Sequence, residues 1–146
     1  MAEGSRIKEA ASFRLSPDLM EELKRRARES GVTTTALVER YLDEGLRHET
    51  HPLIVFREGA GGRRPALAGT RLDVAQVIET IKAAESRGEE AIQEAADYLG
   101  IQPAYVLACV TYYADYKDEV DKWREHEHAV SRRAQEAWAR GRAVLS

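Results

Sequence analysis

The chain has 146 residues, of which 43% are hydrophobic and 32% are charged, so it is long enough for one medium domain or two small ones. A formal net charge of −3 means that any contact with nucleic acid must come from a local basic patch. The single cysteine, Cys109, excludes an internal disulfide and a cysteine-rich metal site. No apolar run is long enough to cross a bilayer, and we expect a cytoplasmic protein without a membrane partner.

Residues 6–15 are predicted to form a strand that is basic on one face. Successive side chains of a strand point to opposite faces. One face then carries three cations and two small residues: Arg6, Lys8, Ala10, Ser12 and Arg14. Phe13 and Leu15 anchor the other face. Such a strand suits a two-stranded ribbon that enters the DNA major groove. The alternative is a solvated edge strand whose cations only prevent aggregation.

Two helices are predicted directly after this strand. The first covers about 17–30, with Ser16 as its cap, Pro17 at its first position and Gly31 after its end. The second follows Thr33 and runs to about Arg47. One strand and two short helices cannot enclose a core, and a lone strand leaves its edge unpaired. We therefore expect an obligate homodimer in which the strands of two copies pair.

Residues 12–19 and 31–38 resemble the ribbon-helix-helix repressors of the MetJ, Arc and CopG type, over roughly a third of the chain. The resemblance implies that Ala10, Ser12 and Arg14 face the bases, although Ala10 departs from the polar residue usual there. Arg14 would donate to guanine, and Ser12 could donate or accept. The resemblance also implies that the N–H groups of Thr34 and Thr35 bind a phosphate. Arg6 and Lys8 would then hold the DNA backbone.

A second unit is predicted after residue 51, with a small hairpin and three helices. The hairpin has strands at 53–57 and 64–68 around a glycine-rich turn. Asp73 and Gln76 have capping-box spacing before a helix over about 74–86. Helices over 89–99 and from about residue 103 follow. This order is winged-helix-like, so the fold class expected is mainly α with short β.

Ala96, Gly100 and Val106 have the spacing of a helix-turn-helix, but the surface that would face DNA is unsuitable for it. The preceding helix is acidic, and phosphate attraction provides most of the affinity of proteins for DNA. We therefore expect this apolar face to bind a protein. The exposed positions lack a cation: Gln102, Pro103, Ala104, Leu107, Ala108 and Thr111.

The stretch 57–71 is basic, with four arginines against one glutamate. Three of these arginines are candidates for contact with an acidic partner or with the DNA backbone: Arg63, Arg64 and Arg71. The alternative is that they solvate a turn, or, for Arg71, that it forms an internal salt bridge.

Residues 62–74 and 89–113 resemble a small domain of unknown function common in bacterial antitoxins, over about 60 residues. The loop 85–88 is longer and more charged than the connection usual in that family. Together with the first unit, the chain resembles a VapB-type antitoxin. This resemblance implies a PIN-like ribonuclease toxin as partner.

Residues 120–146 are predicted to be an amphipathic helical tail. Its two tryptophans, Trp123 and Trp138, are candidate anchors at a protein interface. Either the tail orders against a toxin, or it docks onto the protein's own dimer; the two alternatives stay open.

No enzymatic motif is recognisable, and we expect no catalysis, no metal and no cofactor. His126 and His128 lie two apart, whereas zinc-binding helices use histidines four apart. His48 and His51 have helical spacing, but Pro52 disrupts the geometry. Cys109 is expected to be a small core residue.

The sequence thus predicts three regions: a dimerising DNA-binding unit at 1–50, a hairpin and helix-turn-helix-like unit at 51–119, and the tail. The expected function is that of a type II antitoxin that represses transcription of its own operon and neutralises a ribonuclease toxin. The alternatives are a stand-alone ribbon-helix-helix transcriptional regulator without a toxin and a structural adaptor that does not bind DNA.

Overall fold

The computed structural model describes residues 7–146, which are mainly helical. They form six helices and one two-stranded antiparallel sheet. The chain divides into two compact units, Met1–Asp43 and Glu44–Ser146. The division falls inside the second helix rather than at residue 50, and the tail belongs to the second unit. Between residues 7 and 146, no helix combines the length and the apolar character needed to cross a membrane.

Helix α1 begins and ends where its caps predict, and helix α2 begins directly after its predicted cap. Helix α1 spans Pro17–Ser30, and the Leu19 N–H donates to Ser16 Oγ over 3.3 Å. Gly31 ends it with a φ of +67°, which is readily accessible only to glycine. Helix α2 spans Thr34–Thr50 and so extends three residues beyond the predicted Arg47. Its first turn is capped by Thr33 Oγ1, which accepts the Ala36 N–H over 3.1 Å.

Over residues 7–15, the described part of the predicted strand at 6–15, no strand is present. Residues 7–16 have no regular secondary structure, and their side chains are exposed. The reason is physical, because a strand needs the N–H and C=O groups of a second strand and the chain offers none here. Arg6 lies outside the described residues.

The first unit has a very small core. Leu23, Ala27 and Leu37 are buried, and Val38 packs against them. Many apolar side chains of this unit remain exposed instead: Ile7, Phe13, Leu15, Leu19, Val32, Tyr41 and Leu42. Three buried side chains are too few to stabilise an independent domain, since small domains depend on the apolar area that they bury.

The second unit begins with the predicted hairpin. Strands β1 (Ile54–Gly59) and β2 (Gly62–Leu67) pair antiparallel, with Ile54 opposite Leu67 and Gly59 opposite Gly62. Pro65 lies opposite Phe56. A proline is tolerated because both strands of a two-stranded sheet are edge strands.

Four helices follow: α3 (Val74–Ala83), α4 (Glu89–Leu99), α5 (Pro103–Asp115) and α6 (Lys117–Leu145). The predicted capping box of α3 is present, with the Asp73 N–H donating to Gln76 Oε1 over 2.9 Å. Helix α3 ends three residues before the predicted residue 86. The Glu94 carboxylate accepts the N–H groups of Glu85 and Ser86 and holds this connection in a non-helical form.

The core of the second unit lies between the hairpin and helices α3 to α6. The helix-turn-helix spacing is reproduced, because Ala96 and Val106 are buried and Gly100 has a φ of +69°. Helix α6 has 29 residues, so it is about 44 Å long. Its first half contributes Val120 to the core, which is formed by twelve buried residues: Ile54, Leu67, Val74, Ala75, Val77, Ile78, Ala95, Ala96, Val106, Cys109, Tyr112 and Val120. Residues 131–146 are exposed throughout.

Candidate DNA and partner interfaces

The predicted base-facing residues lie on the exposed N-terminal arm, residues 7–16. Ala10, Ser12 and Arg14 are exposed along it. Lys8 Nζ lies 2.8 Å from Glu39 Oε2, so the arm contacts α2. Both side chains of this ion pair are largely exposed, and such pairs contribute little to stability. A phosphate could therefore replace Glu39 as the partner of Lys8 at small cost.

Thr34 and Thr35 occupy the first turn of α2, as the phosphate-binding prediction requires. The first N–H groups of a helix have no acceptor within the helix. Thr33 Oγ1 already accepts the Ala36 N–H, so Thr34 and Thr35 carry the N–H groups that remain for an external acceptor. The positive end of the helix dipole favours an anion at this place.

Arg63, a predicted partner contact, forms an internal ion pair in the structure. Its Nε lies 2.7 and 2.8 Å from the two carboxylate oxygens of Glu44, and its Nη2 lies 2.6 Å from Oε1. The hydrogen bond to Glu44 raises the pKa of Arg63, so its charge is fixed. This arginine joins β2 to the last turns of α2 within the second unit.

Arg64 and Trp123, two further predicted partner contacts, are brought together by the fold. The Arg64 guanidinium lies 4.5 Å from the centre of the Trp123 ring, a cation–π contact. Its Nη1 donates to Asp73 Oδ2 at 3.0 Å and to Glu127 Oε1 at 2.7 Å, and its Nη2 donates to the Ala60 carbonyl. With only 12% of its side chain exposed, Arg64 connects the hairpin to α6 and has little surface left for a partner.

The remaining predicted partner contacts are exposed. Arg71 lies in the loop before α3, and among residues 7–146 it forms no ion pair, so the internal salt bridge considered for it is not present. Leu107 on α5 is 50% exposed, and Trp138 on α6 is 65% exposed. These three residues lie on different elements.

Sequence reasoning missed a buried polar cluster at the end of α2. The Tyr112 hydroxyl donates to Glu119 Oε1 at 2.9 Å and accepts from Arg47 Nη1 at 2.7 Å. Arg47 also pairs with Glu119 and lies 4.1 Å from the centre of the Tyr116 ring. Because Arg47 and Tyr112 are 65 positions apart, no local pattern could have revealed this cluster.

Beside this cluster, His51 is almost fully buried, and its Nε2 lies 2.8 Å from Asp115 Oδ2. The ring also packs edge-on against Tyr112 and Tyr116. His51, where the second unit was predicted to begin, is thus tied to the end of α5.

The other chemically reactive side chains are buried or contact neighbouring residues within the fold. Burial raises the pKa of the Cys109 thiol to about 12, which removes its nucleophilic form at neutral pH. His128 Nε2 lies 3.2 Å from Glu79 Oε1, and the His126 ring packs edge-on against Trp123. Over the described part of the chain, no group of three or more His, Cys, Asp and Glu side chains could hold a metal ion.

Comparisons with models of known protein families, with curated proteins and with solved structures found no match to this chain.

Proposed function

We propose that the chain is a type II antitoxin, which binds operator DNA as a homodimer and neutralises a PIN-like ribonuclease toxin. The proposed DNA binding rests on one observation about the first unit. In this unit, an exposed cationic arm precedes two helices that share a core of three buried residues. The toxin-binding half rests on the antitoxin-like motif over residues 62–74 and on the exposed apolar side chains of the second unit.

Dimerisation would complete the first unit. If the arms of two copies pair as an antiparallel ribbon, Phe13 and Leu15 turn toward the helices, where Leu19, Val32 and Leu42 are also exposed. Fully burying one such side chain contributes about 1.5–3 kcal/mol. The same pairing satisfies the backbone groups of the arm and orders its basic face.

The ribbon would then present Ser12 and Arg14 to base edges, and Lys8 to the DNA backbone. An arginine can bond to guanine O6 and N7 at once, which makes Arg14 the main source of sequence preference. The N–H groups of Thr34 and Thr35 would bind a phosphate beside the groove.

The toxin would contact the exposed part of the second unit. Arg71, Leu107 and Trp138 offer a cation and two apolar side chains, whereas Arg63, Arg64 and Trp123 are engaged within the fold. An acidic metal-binding centre, as expected of a PIN-like ribonuclease, would attract a basic segment.

Two experiments test this function. Binding of the full chain to the DNA upstream of its own gene, followed by fluorescence anisotropy, should weaken steeply with salt. Arg6, Lys8 and Arg14 in two copies supply six cations. Each contact between a cation and a phosphate makes the binding constant fall more steeply with salt concentration. A binding constant that does not change with salt would overturn the proposal that the chain binds DNA.

Co-expression tests the proposal that the chain neutralises a toxin. The full chain should restore the growth of cells that express the product of the adjacent gene, while the Leu107→Asp and Trp138→Asp variants should restore it less. DNA binding without any rescue of growth would favour a stand-alone regulator. Loss of both activities would favour an adaptor.

A further inference from the structure

The second half of α6 is an amphipathic helix whose apolar face is exposed within the described residues 7–146. At 100° per residue, seven apolar or small residues fall within one arc of about 120°. Trp138 and Val144 are 65% and 84% exposed. We call residues 130–145 the α6 tail, and its apolar stripe is formed by Val130, Ala134, Ala137, Trp138, Gly141, Val144 and Leu145.

The α6 tail is also basic. It carries four arginines against one glutamate. Arg133 and Arg142 border the apolar stripe on its two sides by helical geometry. Two such tails would repel each other along their length, and like charges at close range are unfavourable. The charge therefore favours an acidic surface as the counterpart of this face.

An acidic groove of about 450 Å³ lies between α3 and α4. Its lining includes three small side chains, Ala83, Ala84 and Ala95, with Glu79 and Glu94 beside them. Tyr98 forms one wall and is 82% exposed, which is unusual for so large a ring. We call this feature the α3–α4 groove.

The acidic character of the groove continues along α4. Glu90 and Asp97 lie on the same side of the helix as Glu94, since residues three and four apart are neighbours on a helix. Over residues 85–97, five carboxylates stand against one arginine. The groove thus combines a floor of small residues, an aromatic wall and a charge opposite to that of the α6 tail.

We propose that the α6 tail of one copy docks in the α3–α4 groove of a second copy, with Trp138 over the alanine floor and the tail arginines beside Glu90, Glu94 and Asp97. The inference does not rest on the proposed function and concerns the protein without a toxin; a toxin that binds Trp138 would have to displace it from the groove. Tryptophan is favoured as such an anchor, since it buries a large area with few rotatable bonds.

The position of the groove favours exchange between two copies. Glu79, which lines the groove, also binds Arg124 and His128 of α6. The α6 tail therefore begins close to the groove of its own chain. It continues as one helix to Leu145, so it cannot fold back without breaking hydrogen bonds. A two-fold axis between two copies would let each tail enter the groove of the other.

The test is an interchain disulfide in the full-length protein. Copies with Ala83→Cys in the groove are mixed with size-tagged copies that carry Ala137→Cys in the apolar stripe. The native Cys109 is fully buried and does not compete. After mild oxidation, we expect a mixed disulfide at least fivefold more abundant than with the control, Ala139→Cys. Ala139 lies two residues further along the same exposed tail, but on its opposite face.

Each result has a definite meaning. Trp138→Ala in the Ala137→Cys copy should reduce the mixed disulfide to the level of the control, which would assign the docking to the tryptophan. Equal yields for Ala137→Cys and Ala139→Cys, or no mixed disulfide at all, would overturn the proposal. It would also be overturned if Ala137→Cys copies linked to one another in preference to the groove, because that result would indicate tail–tail pairing.

Discussion

Arg14 and Arg64 show that two arginines of one chain can lie in different environments. Arg14 is exposed on an arm without regular structure, and we assign it to DNA. Arg64 is enclosed by Asp73, Glu127 and the Trp123 ring, so its charge is already neutralised within the fold. Sequence alone identified both as candidate contacts. The residue type shows which contacts a side chain can make, but not whether other residues of the fold already make them.

Arg14→Ala should weaken DNA binding by about 1–3 kcal/mol and relax the base preference, because a bidentate contact with guanine is lost. Fluorescence anisotropy with the preferred DNA and with a scrambled fragment measures both effects. Arg28→Ala, which removes an exposed arginine from α1, is the matched control and should change little. Equal losses for the two variants would contradict direct readout by Arg14.

Arg64→Ala should lower the free energy of unfolding by about 1–3 kcal/mol, because it leaves two carboxylates facing each other beside the uncovered Trp123 ring. Urea denaturation followed by circular dichroism provides the measurement. The exposed Arg71→Ala should stay within about 0.5 kcal/mol of the unaltered protein. An Arg64→Ala variant as stable as Arg71→Ala would refute the structural role.

At the scale of elements, the junction of α5 and α6 depends on one ionised carboxylate. Asp121 Oδ2 lies 2.6 Å from Lys117 Nζ, and Oδ1 accepts hydrogen bonds from Tyr113 and Arg124. Partial burial raises the pKa of Asp121, but these hydrogen bonds outweigh it and lower the pKa from 3.8 to about 2. The charged form of Asp121 is therefore bound more favourably in the folded chain than in the unfolded one.

The resulting stabilisation should be fully present above pH 4 and be lost as the pH falls toward 2, since a depressed carboxyl pKa stabilises the fold only while the group is ionised. The expected loss is on the order of 1 kcal/mol, because solvent screens the partly exposed partners. Asp121→Asn should remove this part of the pH dependence, whereas Asp118→Asn, at an exposed position of the same turn, should keep it. Urea denaturation at pH 5 and pH 2.5 compares the two, and identical pH profiles would contradict the assignment.

The elements were predictable where the signals that define them are local. Both ends of α1 and α4 and the start of α5 follow from Ser16, Gly31, Gly88, Gly100 and Pro103, each of which acts within one turn of its own position. The end of α3 was placed too late because Glu94, nine positions after Glu85, binds the connection. The predicted strand is absent over residues 7–15 for a related reason, since no second strand pairs with this segment in the described part of the chain. The Arg47, Tyr112 and Glu119 cluster could not be found at all, because its members meet only in the folded unit.

At the scale of the whole molecule, the first unit has too small a core to stand as a single copy. Only Leu23, Ala27 and Leu37 are buried among its described residues, while Phe13 is 72% exposed. The second unit has its own core of twelve residues and does not need a second copy to complete that core. This contrast is the physical reason to expect that self-association begins at the N-terminal arm.

In a Trp138→Ala background, which removes the contact proposed for the α6 tail, Phe13→Glu should convert the proposed dimer to a monomer, because a charge would have to be buried beneath the ribbon. Light scattering after size exclusion measures the change in mass. Ser12→Glu places the same charge one residue earlier, on the face assigned to DNA, and should keep the dimer while it abolishes DNA binding. A Phe13→Glu, Trp138→Ala protein that remains dimeric would show that the arm does not hold the two copies together.

The hairpin turn has one more consequence, which concerns the path of α6. Gly61 has a φ of +89°, and a Cβ at this position would lie 2.7 Å from His126 Nε2 and 3.4 Å from the Trp123 ring. The turn and the helix thus touch without space for even one methyl group. Any side chain at Gly61 would strain the backbone and push the His126 ring aside. Because His126 packs against Trp123, the substitution would also disturb the contact between Trp123 and Arg64. The smallest residue of the chain therefore helps to fix the course of its longest helix.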